Sequence, residues 1–213
     1  MSSLTSLTQE PPSLVPCWSC KGPVAARALF CSTCGAVQPP GQTDHFMRLG
    51  LMRAFDLEPD LLQKQYFGFQ RRLHPDRFAT RTPKERALSQ QQATALNEAY
   101  EVLKDPMRRA AYLLRLAGRV VNVDETATVS DPVLLMEAME MREALEEAET
   151  AEEVTELAAK AEAEVQGCIK TLSKAFAEDD LEAAGALTTR LKYLGKLAEE
   201  AKARRIRLTR QGI

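Results

Sequence analysis

Apolar residues recur at intervals of three and four along most of this chain, and the breaks in that rhythm divide it into helices. Leu61, Leu62, Gln65, Tyr66, Phe69 and Leu73 mark one amphipathic stretch. Ala87, Leu88, Gln91, Ala95, Leu96, Ala99, Val102 and Leu103 mark a second. Between them runs Arg71-Arg72-Leu73-His74-Pro75-Asp76-Arg77-Phe78. Pro75 disfavours helical backbone at His74, so the first stretch must end there, with Arg77, Phe78, Ala79 and Thr80 in the loop. Glu58-Pro59 starts that helix, and Thr82-Pro83-Lys84-Glu85 gives the next an N-cap, an N1 proline and an N3 glutamate. Asp105-Pro106 opens another in the same way. The core expected here is Phe46, Leu49, Leu51, Phe55, Leu62, Tyr66, Phe69, Leu88, Leu96, Tyr100 and Leu103.

The carboxy-terminal part shows three longer stretches. Asp131-Pro132 starts one reaching about Ala148, and Thr150-Ala151-Glu152-Glu153 is a capping box for a second ending near Ala177. Asp179-Asp180-Leu181-Glu182 starts a third that runs to about Arg210. The second carries Val154, Leu157, Ala161, Val165, Ile169, Leu172 and Phe176 in heptad-like register, and the third Leu181, Ala184, Leu187, Leu191, Leu194 and Ala198. Short connections between such helices predict an antiparallel three-helix bundle. Cys168 lies beside the stripe and reads as a buried small hydrophobe. The first helix, Leu134-Leu135-Met136-Glu137-Ala138-Met139-Glu140-Met141, has more apolar residues than one buried stripe needs. Three are methionines, the adaptable residue of partner-binding surfaces. Tyr193 likewise falls off the stripe of the third helix, and an exposed patch of this kind marks a docking surface. The bland alternative is that both helices are buried on two sides.

Composition changes this picture little. The 213 residues are 45% hydrophobic and 27% charged with a net charge of -2, ordinary for a globular protein and without a global field toward nucleic acid or anionic lipid. No window approaches a membrane span, and the first nine residues resemble neither a secretory signal nor an Arg-rich transit peptide. A cytoplasmic location is the expectation. Charge is uneven within the bundle: 11 acids against 2 bases from Glu137 to Glu164, and 8 bases against 2 acids from Arg190 to Arg210. Mutual neutralisation of neighbouring helices is favoured over an RNA-binding tail, because a single aromatic is interleaved.

The cysteines add a separate chemistry. After a Ser-, Thr- and Pro-rich lead-in over residues 1–16 come Cys17-Trp18-Ser19-Cys20 and, ten residues later, Cys31-Ser32-Thr33-Cys34-Gly35. Two such pairs suit tetrahedral zinc, with Gly22 and Gly35 expected to take the left-handed backbone that each knuckle needs. Residues Val24 to Phe30 between them are expected to form a small hairpin. Disulfides are disfavoured in a cytosolic chain, and a thiol redox pair lacks the β-α-β surroundings it requires. Four thiolates leave no open coordination position, so the expected zinc is structural. Gln38-Pro39-Pro40-Gly41 then forms a linker. His45, one of two histidines, reads as a surface or capping residue rather than a fifth ligand.

A short helix, a long helix, His74-Pro75-Asp76, a second long helix with Asn97-Glu98-Ala99-Tyr100, and Leu103-Lys104-Asp105-Pro106 together resemble a J domain. With Arg108-Arg109-Ala110-Ala111-Tyr112-Leu113-Leu114, the Leu135-Met136-Glu137 helix and Arg190-Leu191-Lys192-Tyr193-Leu194, the whole order resembles the HscB-type J-domain co-chaperones of iron–sulphur cluster assembly. The resemblance implies an all-α fold: zinc segment and linker at 17–43, J domain at 44–120 and three-helix bundle at 121–213. It implies no catalytic residues. The J domain would recruit an HscA- or DnaK-type chaperone and stimulate its ATPase through His74, Pro75 and Asp76, supported by Arg71 and Arg72. In that role Asp76 accepts a bond from a partner cation, Pro75 fixes the turn, and Lys64 extends the basic face. The bundle would bind an IscU-type scaffold through Leu135, Met136, Met139, Glu140, Glu143 and Tyr193.

The four cysteines, Cys17, Cys20, Cys31 and Cys34, depart from the short form of that family and resemble its mitochondrial members. A bacterial cytoplasmic protein is the expectation and a mitochondrial matrix form the alternative, as a monomer or weak homodimer. Two other classes stay open: a zinc-ribbon nucleic-acid-binding protein, marked by steeply salt-dependent affinity, and a general J protein for unfolded clients. A thiol redox enzyme is separable from both by the reactivity of its cysteines.

Overall fold

The computed structural model describes residues 13–121 and 132–211, and the Asp131 cap and most of the lead-in lie outside the described residues. The chain forms two compact units that divide between Asp105 and Pro106. The first unit holds strands β1 (Leu14–Pro16) and β2 (Pro23–Ala25) and helices α1 (His45–Arg48), α2 (Pro59–Leu73) and α3 (Pro83–Lys104), with a 3-10 turn over Pro75–Phe78 between α2 and α3. The second holds α4 (Pro106–Leu116), α5 (Pro132–Glu147), α6 (Ala151–Ala177) and α7 (Leu181–Gln211). Among the described residues no helix is long and apolar enough to cross a membrane.

Helix boundaries follow the caps legible in the sequence. Glu58 stands at the N-cap of α2 with Pro59 at N1, and α2 stops at Leu73 because His74 turns to ψ 128 ahead of Pro75. Thr82 accepts from the Glu85 amide while the Glu85 carboxylate reaches back, a complete capping box for α3. Thr150 and Glu153 repeat the device for α6, and Asp180 accepts from the Ala183 amide at the start of α7. Asp44 caps α1 through the Met47 amide, with His45 the first residue inside.

Two local expectations are corrected. Residues 24–30 do not fold on themselves; β2 pairs antiparallel with β1, Val24 opposite Val15, and Phe30 bridges to Val37. Each Cys-x-x-Cys turn reverses the chain, so the flanks of that turn become neighbours. A two-stranded ladder consists only of edges, which is why it tolerates Pro16 opposite Pro23. The left-handed residue after Cys20 is Lys21 (φ 64), not Gly22, whereas Gly35 (φ 72) takes that place after Cys34 as expected.

In the first unit Phe46, Leu49, Phe55, Leu62, Leu73, Phe78, Leu88, Leu96, Ala99 and Leu103 are buried. Phe78, expected in an open loop, is thus an anchor for the 3-10 turn. Leu51, Tyr66, Phe69 and Tyr100 are only half-buried. Tyr66 and Tyr100 stack at 4.1 Å at the edge of the core, with the Tyr66 hydroxyl donating to Asn97. The stripe of α3 is shifted from the expected phase, so Gln91 faces out and Gln92 faces in.

In the second unit α6 and α7 bury Val154, Ala161, Cys168, Leu172 and Ala175 against Ala184, Leu191, Leu194, Leu197 and Ala201. The buried set drifts around each helix relative to a strict heptad, leaving Leu157, Val165, Ile169 and Phe176 half-buried. Helix α5 adds Leu134, Ala138, Met141 and Leu145. Helix α4 packs on α7, with Ala110, Tyr112 and Leu114 buried. The acidic and basic helices meet through Arg190 and Glu137 at 2.7 Å, while Arg142 and Glu200 at 2.9 Å pair the minority charges of the two stretches.

Two substitutions separate cap from core. Thr82→Ala removes one cap and should lower stability by about 1 kcal/mol. Leu96→Ala, inside the first unit, should lower it by about 2–5 kcal/mol. Denaturant titrations that rank them equal would refute this account of α3.

Candidate functional site

The His74-Pro75-Asp76 turn is held from within. His74 Nδ1 accepts the Asp76 amide at 3.3 Å, and the Arg77 amide returns to the His74 carbonyl at 3.0 Å. With Nδ1 an acceptor, the neutral ring carries its proton on Nε2. The Asp76 carboxylate stands 3.5 Å from the same nitrogen, with its side chain 88% exposed. That contact becomes an ion pair only when the imidazole is protonated, so the amide bond describes the neutral state. The turn therefore presents an open carboxylate on a rigid frame. Arg71 lies just before it with an exposed side chain and a carbonyl that accepts from Arg77 at 3.5 Å. Arg72 is engaged elsewhere, its guanidinium 4.8 Å above the Phe30 ring. Lys64 is exposed on α2.

On α5, Leu135, Met136 and Met139 are exposed, the two methionines at 63% each. Glu140 and Glu143 are exposed on the same side, opposite the buried Leu134, Ala138, Met141 and Leu145. The second-side burial that the sequence allowed for this helix is absent among the described residues. Val133, also 63% exposed, extends the face by a turn; its i, i+3 relation to Met136 was the available signal. Tyr193 stands apart from this set on α7 and is half-buried rather than exposed. Arg190, one turn earlier on α7, holds Glu137 of α5.

The four cysteines converge. Their sulphur atoms all lie within 4.8 Å of one another, with Cys17–Cys34 at 3.8 Å and Cys20–Cys31 at 3.7 Å. A tetrahedral site with bonds of about 2.3 Å has sulphur–sulphur edges of roughly 3.8 Å. None of the five cysteines is in a disulfide. Burial raises the Cys17 thiol, but amide bonds from Cys20 and Ser19 and the Cys31 and Cys34 sulphurs outweigh it and bring its pKa to about 6. At Cys20 the Gly22 amide lowers the pKa, yet Cys34, burial, Cys31 and Cys17 together push it up to about 11. One sulphur ionises at the expense of another because four negative charges cannot share this space without a cation. The residues fit a four-thiolate metal ion, and Cys17, Cys20, Cys31 and Cys34 can hold one. Cys168 sits elsewhere, buried, its pKa raised by desolvation against a lowering from Arg190. That environment makes it an inert core thiol.

An exposed His-Pro-Asp turn between two packed helices, joined to a second helical unit, defines a J-domain protein with an appended domain. Comparison with known proteins agrees: the DnaJ domain matches residues 44–112 and the HSCB C-terminal oligomerisation domain residues 130–202. The iron-sulfur cluster co-chaperone protein HscB homolog of Arabidopsis thaliana is 33% identical over 86% of this chain and 72% of its own length. The crystal structure of human co-chaperone protein HscB overlays with a TM-score of 0.83 at 33% identity, covering 90% of this chain and 99% of that one. Chaperone HscB from Vibrio cholerae does so with a TM-score of 0.70 at 35% identity, covering 78% and 99%. The chain belongs to the HscB family of co-chaperones. Proteins of this family are co-chaperones rather than enzymes.

Metal occupancy should be pH-dependent with a definite sign. Binding needs every sulphur deprotonated, so protons and metal compete. Cys20, pushed up to about 11, must lose its proton to bind metal at any lower pH, and Cys17, depressed to about 6, adds a second competing proton only below that value. Apparent affinity for zinc should therefore decline with falling pH across the neutral range and more steeply below 6, measured by competition with a chromophoric chelator. A flat profile from pH 5 to 8 would refute four-thiolate ligation.

Proposed function

We propose that this protein is a co-chaperone of iron–sulphur cluster biogenesis. Its His74-Pro75-Asp76 turn docks on an HscA- or DnaK-type chaperone and stimulates ATP hydrolysis, with Arg71, and to a lesser degree Arg72, facing the partner. Its second unit binds an IscU-type scaffold through Leu135, Met136, Met139, Glu140, Glu143 and Tyr193. The four cysteines hold one structural zinc ion. The observation that carries the reading is the α5 helix, which buries one face and leaves a methionine-rich face open, on the same chain as an open Asp76 carboxylate. A general J protein for unfolded clients would not need a single apolar helix face flanked by Glu140 and Glu143. The interaction is an adaptable apolar centre with an acidic rim, suited to one folded partner.

We place the protein in a reducing compartment, the bacterial cytoplasm or the mitochondrial matrix, where cysteine ligands stay available to a metal. The protein is proposed to act as a monomer or weak homodimer, without nucleic acid or membrane.

Steady-state ATP hydrolysis by the chaperone, with this protein and the scaffold added singly and together, tests the reading. Joint addition should exceed the sum of the single additions. His74→Gln should abolish stimulation and leave scaffold affinity unchanged. Met136→Ala should weaken scaffold binding by more than about fivefold, the scale of a buried interface anchor, and leave chaperone docking intact. Stimulation with no scaffold dependence would refute the cluster-assembly role, and none at all would refute the J-protein role.

A further inference from the structure

Among the described residues of the first unit, three uncharged polar residues are buried, and hydrogen bonds run from one end of the set to the other. They are Gln38, Ser89 and Gln92, exposed by 6%, 0% and 2%. Gln38 Nε2 donates to Cys17 Sγ at 3.4 Å and to the Ala36 carbonyl at 2.8 Å. The backbone carbonyl of Gln38 accepts from Gln92 Nε2 at 2.9 Å. One turn earlier on α3, Ser89 Oγ donates to the carbonyl of Leu73 at 2.7 Å. That carbonyl belongs to the last residue of α2, one peptide bond from His74. A buried path thus leads from a metal-ligating sulphur, through two amides and one helical turn, to the backbone that carries the His-Pro-Asp turn.

Ordinary core packing would not select these residues. Gln38 and Ser89 are buried with their donors satisfied, and Gln92 Oε1 is buried with no hydrogen-bond partner. A polar group retained at such cost calls for an explanation. Two contacts brace the same path from outside. Lys84 Nζ sits 4.4 Å above the Trp18 ring, and Arg72 Cζ 4.8 Å above Phe30. Trp18 lies between Cys17 and Cys20 and donates to the Val37 carbonyl at 2.7 Å, and Phe30 directly precedes Cys31. Arg72 and Lys84 stand on the two sides of the His-Pro-Asp turn in the chain.

We propose that Gln38, Gln92 and Ser89 are positioning residues that tie the state of the four-cysteine site to the His74-Pro75-Asp76 turn, so that metal loading sets its competence to dock. The proposal rests on the reading of that turn as a chaperone-docking element. With metal bound, Cys17 is a fixed thiolate and a charge-assisted acceptor for Gln38, which fixes the carbonyl that holds Gln92. With the metal gone, the knuckle loses its organising centre, the Cys17 sulphur is no longer fixed in place for Gln38, and α3 is no longer held at Gln92. Ser89, three residues away on the same rigid helix, passes that change to the end of α2. Coupling of this kind lies typically within about five- to 150-fold in affinity.

The test uses the full chain, isotope-labelled, zinc-loaded and then stripped with a chelator. Stripping should move the backbone amide signals of His74, Asp76 and Arg77 and raise the protein concentration for half-maximal chaperone stimulation by roughly tenfold. Gln92→Leu should keep a wild-type helical spectrum and a wild-type Co(II)–thiolate absorption band, yet its turn signals should no longer respond to stripping. Ser89→Ala, which leaves the knuckle contacts in place, should uncouple the turn in the same way. Turn signals that stay fixed while the Trp18 indole signal shifts on stripping would overturn the proposal, as would wild-type responsiveness in both variants. Failure of the loaded wild type to stimulate any ATPase chaperone would overturn the docking reading instead, and the amide response would still decide the coupling.

Discussion

Proline at the first position of a helix organises this chain more than any single contact. Five successive helical elements open on one: Pro59, Pro75, Pro83, Pro106 and Pro132. The ring fixes φ and lacks an N–H that the first turn could not have satisfied anyway. It also pushes the preceding residue out of helical geometry. Glu58, His74, Thr82 and Asp105 accordingly sit at ψ 117, 128, 153 and 121. Each helix therefore stops and starts where local sterics say, before any packing is considered. At His74-Pro75 the same rule yields a turn displaying Asp76, so the exposed carboxylate follows from the constraint that sets the fold.

That locality explains what could be read from the sequence. Helix ends, capping boxes, the convergent cysteines and the meeting of Glu137 with Arg190 depend on neighbours in the chain or on gross charge. The features that could not be read depend on which surface a residue meets. Gln92 rather than Gln91 turns inward because the buried stripe of α3 is set by α1 and α2 together, not by its own period. Residues 24–30 pair outward because each knuckle brings its flanks together. Tyr193 looked free of the α7 stripe, yet it is half-buried, because α7 has neighbours on more than one side. The Gln38–Gln92–Ser89 path was invisible for the same reason: its members are separated by up to 54 positions along the chain and only the fold unites them.

Methionine serves two purposes on α5. Met141 fills the interior beside Ala138 and Leu145, where its flexibility adapts to the space left by α6 and α7. Met136 and Met139 contribute nothing to that interior. Helix α5 is held by its inner face and by the Arg190–Glu137 and Arg142–Glu200 pairs, whose individual worth at this exposure is at most about 1 kcal/mol each. Polar residues at 136 and 139 would serve the isolated fold as well or better, since exposed apolar surface adds nothing to stability and favours association. Their presence is a property of the surface, and the rim of Glu140 and Glu143 limits what can cover it.

The knuckle segment poses the opposite problem. Its cluster of buried residues is Cys17, Val24, Cys31 and Ala36, with Trp18 and Ala28 packed against it, and two of the four belong to the cysteine cluster that could hold a metal ion. Ordering a residue costs about 1–2 kcal/mol of backbone entropy. A neutral amide bond such as Gln92 to Gln38 returns about 1 kcal/mol, and each exposed cation–π contact about 0.5–1 kcal/mol. Those contacts orient a knuckle that is already formed; they are too weak to form one. A metal ion in the four-cysteine cluster would supply what they do not, since binding in comparable four-ligand sites is worth about 10–16 kcal/mol. On the proposed coupling, a knuckle formed by metal comes before its docking against α2 and α3, and that order would give the site leverage over the turn those helices carry.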